Sequence, residues 1–155
     1  MIESEVADVA AMRARDVVLL WGPVLACMAA IYYVSSLNTW TTIDGPPLYR
    51  AFRKSGHVFE YAALALLIGR ALERTWSTRG ETLTRALLAR VWWVGAALAT
   101  LYALTDEFHQ SFVPRRGSHL ADVVIDALSA TAALGIWYIM RVRQRRRGIA
   151  SQERN

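Results

Sequence analysis

Asp106, Glu107, His109 and Gln110 close an apolar run, residues 91–105, and bring two carboxylates, an imidazole and an amide into about one helical turn. His57 and Glu60 open an earlier apolar run, and Asp122 and Asp126 open a later one. Spacings of three or four residues put His57 with Glu60, Asp106 with His109 and Asp122 with Asp126 on shared helical faces. Acidic and imidazole groups are costly at a bilayer boundary unless paired, hydrated or used, so the three clusters mark a candidate site. Proton transfer is the chemistry such a set offers. An imidazole changes charge near neutral pH without tuning, which suits His57 and His109, while Glu60, Asp106 and Glu107 are carboxyl candidates for general acid or base.

These are also metal-ligand residue types, but neither an H-E-x-x-H nor a paired E-x-x-H arrangement is present, so no metal or other cofactor is assigned. No serine carries a nucleophile motif; Ser111 and Ser118 read as loop or cap residues and His119 as a loop residue. The competing reading is structural. The acidic and imidazole groups then pair with one another and with Lys54, Arg115 and Arg116, locking the helices together.

The elements that must position these groups are membrane helices. Over half of the 155 residues are hydrophobic (54%), yet 18 basic and 13 acidic residues punctuate the chain. Apolar helices joined by short charged loops fit that pattern better than a soluble core. The net charge of +5 sits at the ends of apolar runs and in the tail, which excludes a nucleic-acid surface. The lone Cys27 lies inside an apolar run and reads as packing; the short stretch before it and the acidic start argue against lipoprotein processing.

Four spans are expected, near 17–37, 55–72, 86–105 and 120–140, giving an all-α, polytopic four-transmembrane-helix bundle with short loops. Pro23 is placed in the first turns of the first span, and Asp44-Gly45-Pro46-Pro47 marks the loop after it. Small residues four apart, Ala26 with Ala30, Ala96 with Thr100 and Ser129 with Ala133, are candidate helix contacts. Residues 1–16 form an N-terminal cytoplasmic or interfacial segment, 17–140 the membrane domain, and 141–155 a basic cytoplasmic tail, its Arg141–Arg147 run anchoring topology and meeting anionic headgroups and the polar residues after it irregular. Thirteen of the 18 basic residues fall with the termini and the connection between the second and third spans, which predicts a multi-pass cell-membrane protein with both termini cytoplasmic. All three polar clusters then face the extracytoplasmic side.

At Lys54-x-x-His57-x-x-Glu60-Tyr61, Asp106-Glu107-x-x-Gln110-x-x-x-Pro114-x-Arg116 and Asp122-x-x-x-Asp126, the chain resembles the VanZ-like family over about residues 30–140. Lys54, His57, Tyr61, Asp106, Glu107, Gln110, Pro114, Arg116 and Asp122 match positions that characterise the family. Arg115, Asp126 and Ser129 depart from residues usual there. The family takes its name from a protein associated with resistance to the glycopeptide teicoplanin, so the resemblance implies cell-envelope biology. The expected partners are membrane lipids and a lipid-linked or cell-wall ligand, with no nucleic acid and with oligomerisation open. Lys54 and Arg116 would hold an anionic group of that ligand, while Tyr61, Asp106, Glu107, Gln110, Asp122 and Asp126 line its site. The alternative is a structural or assembly subunit whose polar cluster only fixes helix packing.

Overall fold

A computed structural model describes residues 14–37, 47–78, 84–114 and 119–152. These form four helices: α1 (Ala14–Ser36), α2 (Pro47–Thr78), α3 (Arg85–Gln110) and α4 (Leu120–Gln152). α1 starts earlier than its uncharged stretch suggests, with Asp16 in the first turn facing the positive end of the helix dipole. Pro23 therefore falls in the helix interior, where its ring removes the bond to the Leu19 carbonyl. α2 begins on Pro47, whose missing N–H is one of the donors a first turn leaves unused anyway. Thr84 caps α3 by accepting the Leu87 amide at 3.1 Å. α3 runs past Thr105 to Gln110, so its polar cluster forms the last helical turn, as its spacing suggests.

α4 also continues beyond Met140, to Gln152, carrying the Arg141–Arg147 run as a helical extension and staying helical over 148–152, where an irregular tail was expected. Arginine is a good helix former, and cations at a helix C-terminal end oppose its negative pole.

Among the described residues three helices are long and apolar enough to cross a membrane: Arg15–Ser36, Arg85–Gln110 and Leu120–Arg147. α2 carries more charge, with Glu60, Arg70, Glu73 and Arg74 in its length, and packs against all three other helices. Tyr61, Leu64, Ala65, Ile68, Ala71 and Leu72 are all buried along it. α2 and α3 form the middle of the bundle, and α1 and α4 flank them with scarcely a contact between each other. Outward-facing residues are strongly apolar, including Val18, Leu25, Trp93, Leu101, Leu128 and Ile136. Such a surface suits lipid and not water.

Contacts set the direction of each helix. α1 and α3 run parallel, with Tyr102 Oη donating to the Met28 carbonyl at 2.5 Å and Ser35 meeting Asp106. α2 and α4 also run parallel, with His57 beside Asp126 at one end and Glu73 paired with Arg141 at the other. Trp21 Nε1 reaches Thr75 Oγ1 at 3.3 Å, which makes α1 antiparallel to α2. From His57 to Glu73 the helix rises about 24 Å, slightly less than a hydrocarbon core, so polar groups bracket an apolar slab.

Within that slab Leu134 is fully buried. A Cβ on Gly69 would stand 2.7 Å from its Cδ2, and one on Gly95 would stand 3.0 Å from its Cδ1. The two glycines make the hole into which this knob fits. On α3 the close-packing stripe is Gly95, Ala99 and Ala103, all buried and four apart. Ala26 and Ala30, expected at a helix contact, are exposed instead. Rotation of α1 about its axis, set by Val24, Ile31 and Ser35 facing inward, turns the alanine pair outward.

Candidate functional site

Hairpin connectivity carries the ends of the three helices that bear the acidic and imidazole clusters, with the Ser35 end of α1, to one end of the bundle. Asp106 stands at the centre of the cluster there and is 3% exposed. Its Oδ2 accepts from Ser35 Oγ at 2.9 Å and from Gln110 Nε2 at 2.7 Å, and Gln110 also reaches Ser35 Oγ at 3.3 Å. Asp106 thereby ties α1 to α3. Its other oxygen, Oδ1, is buried with no hydrogen-bond partner.

Across the bundle, Asp126 on α4 is equally buried. Its Oδ2 lies 3.7 Å from His57 Nδ1, a charge contact if the imidazole is protonated and slightly too long for a hydrogen bond. Asp126 Oδ1, like Asp106 Oδ1, has no partner. Tyr61 lies in the middle, wholly buried, with its hydroxyl in the field of both carboxylates. That hydroxyl is close to Asp106 but lacks the geometry of a normal hydrogen bond. The Tyr61 ring stacks near-parallel to His57 at 6.4 Å and sits 6.3 Å from Tyr102.

The remaining expected residues separate into different surroundings. The carboxylate of buried Glu107 accepts the His119 backbone amide, clamping the end of α3 to the start of α4. His109 turns toward α1, where its ring lies 4.3 Å from Tyr32 and its Nε2 lies 3.0 Å from Ser36 Oγ. Half-buried Glu60 exerts its charge on Cys27 of α1. Asp122 occupies the first turn of α4, its amide donating to the His119 carbonyl at 2.8 Å. The Lys54 side chain and the whole of Arg115, Arg116 and Ser118 lie outside the described residues. Ser111 is the C-cap residue of α3.

Ser35 was not singled out by the sequence reading. A Ser-Ser pair at the end of an apolar run was the available signal, but it is weak because serine often ends helices. The Glu73–Arg141 pair at the opposite end was also missed, at 2.6 Å with the arginine 5.8 Å from the Trp137 ring centre. Arg141 had been read as part of a headgroup anchor, and α4 instead carries it against α2. Among the described residues no three His, Cys, Asp or Glu side chains converge as a metal ion would require.

An acceptor-rich site of this kind, with two carboxylates, two hydroxyls, an amide and an imidazole, can hold a ligand through its donors. Fold and surface together define a polytopic helical membrane protein with a buried polar cluster at one end. The chain belongs to the VanZ/LLP1 family, whose description matches residues 10–141. No curated protein and no solved structure matches the chain.

Proposed function

We propose that this family member binds a cell-envelope ligand, carried on a lipid or on the cell wall, in the polar end of its bundle. The observation that carries the reading is the pair of buried carboxylates flanking Tyr61, each with one oxygen unpartnered. Native proteins seldom leave such atoms unsatisfied, and where they do a bound group is a common reason. The distribution of basic residues supports an orientation with both termini cytoplasmic, which turns the polar end toward the side where envelope polymers are assembled. Lys54 and Arg116 are the proposed partners for an anionic part of the ligand. The teicoplanin association of the VanZ name makes glycopeptide susceptibility a cellular readout of this function.

The test is extraction of the full chain in native lipid, followed by mass spectrometry of what stays bound. Asp106→Asn keeps the shape of the side chain and can still accept from Ser35. It is expected to lower retention of the envelope ligand at least about tenfold while the melting temperature stays close to wild type. A second reading, a structural subunit, draws on the Ser35–Asp106–Gln110 bridge between α1 and α3. That reading requires the reverse result: lower folded yield and a lower melting temperature, with ligand retention per folded molecule unchanged. Reporter fusions after Pro114 check the orientation, and a cytoplasmic signal there would overturn it.

A further inference from the structure

We propose that the polar end of the bundle receives a primary ammonium group, held between Asp106 and Asp126 over the Tyr61 hydroxyl; this rests on the reading of that end as a ligand site. Three buried acceptors there have no hydrogen-bond partner: Asp106 Oδ1, Asp126 Oδ1 and Tyr61 Oη. Ser35 and Gln110 satisfy only the second oxygen of Asp106. A protonated amine has three N–H donors and no acceptor, so it can donate to both carboxylate oxygens and to the Tyr61 oxygen, whose own O–H stays available to donate.

Charge selects the same group. Three carboxylates are buried at this end, those of Asp106, Glu107 and Asp126, and His57 lies 3.7 Å from Asp126. With Glu107 held by the His119 amide, a protonated His57 would balance only one of the Asp106 and Asp126 charges, and a buried carboxylate without a counter-charge is strongly disfavoured. Water or a sugar hydroxyl would satisfy the acceptors without supplying positive charge. Calcium and magnesium prefer six or more oxygen ligands and zinc four ligands, whereas among the described residues no three His, Cys, Asp or Glu side chains converge. Such an amine could be borne by a lipid headgroup, as in ethanolamine phospholipid, or by a soluble amine or amino sugar.

The full chain is reconstituted in phosphatidylcholine nanodiscs, and lipid retention by native mass spectrometry and the thermal midpoint are measured. Phosphatidylethanolamine, its mono- and dimethyl forms and phosphatidylglycerol are added in turn, then soluble ethanolamine and glucosamine. Phosphatidylethanolamine is expected to be retained about tenfold over phosphatidylcholine and phosphatidylglycerol, falling stepwise with methylation as donors are lost. Asp106→Asn and Asp126→Asn should each remove most of that preference. A midpoint rise with soluble amines at the same aspartates assigns the amine to a soluble source; a rise with phosphatidylethanolamine alone assigns it to a lipid. Equal retention of the methylated series in the wild type, or a preference that survives both substitutions, overturns the proposal. Aspartate-dependent retention of phosphatidylglycerol alone rejects the ammonium while leaving the ligand site standing. No aspartate-dependent ligand of any kind, in these discs or in native-lipid extracts, rejects both.

Discussion

Arg141→Leu is expected to lower stability by about 3 kcal/mol, because it strands a carboxylate that cannot reach water. The Glu73 side chain is 5% exposed and that of Arg141 is 34% exposed. The two substitutions at this pair should therefore differ. Glu73→Gln leaves an arginine that lies near the bundle end and can extend its guanidinium outward along Trp137, so a loss of about 1 kcal/mol is expected. Arg141→Lys keeps the charge but not the planar fork, and should fall between the two. Combining Glu73→Gln with Arg141→Leu should recover part of the loss, since the stranded charge is then gone. Reversible unfolding in mild detergent measures the whole series. A Glu73→Gln protein less stable than Arg141→Leu would contradict this account of the pair.

Leu134→Ala is expected to cost about 3 kcal/mol, through a cavity in the middle of the apolar slab. Lipid tails are as apolar as leucine, so what is lost is close packing rather than shelter from water. The same geometry predicts a reversal of sign at Gly69. In the wild type, a methyl added there meets Leu134 at 2.7 Å, and Gly95 on the other side leaves the leucine little room to retreat. Gly69→Ala alone should thus destabilise by about 1–3 kcal/mol. In the Leu134→Ala background it should be neutral or stabilising, because the added methyl enters the vacated space. Thermal melts of the four proteins form a double-mutant cycle, and additive effects would rule out the knob-and-hole contact.

Much of the architecture was readable from local pattern. Long apolar runs and the Asp44-Gly45-Pro46-Pro47 break between them identify the helices and their number. The gathering of the three polar clusters at one end follows from hairpin alternation alone, since each sits at the correct end of its run. The helix boundaries were less legible. Residues 47–54 and 148–152, expected as loop and irregular tail, are both helical. Gln110 and Arg141, at the polar ends of their helices, find partners on other helices in Ser35 and Glu73.

The division of labour inside the polar end was not legible at all. Glu107 and Asp106 are adjacent and chemically alike, and the sequence offered no reason to separate them. In the folded chain one carboxylate clamps the start of α4, and the other faces α1 with an oxygen to spare. His57 and His109 diverge similarly, one toward Asp126 and the other toward Tyr32 and Ser36.

Chain chemistry by itself determined that this protein is a set of membrane-length helices with titratable groups confined to particular ends. Only tertiary packing decided which of those groups lose contact with solvent and which meet. A rotation of one helix by a single residue, about 100°, exchanges a buried neighbour for an exposed one. That rotation is settled by contacts such as Leu134 against Gly69 and Gly95, between residues far apart in the chain, where local periodicity carries no information.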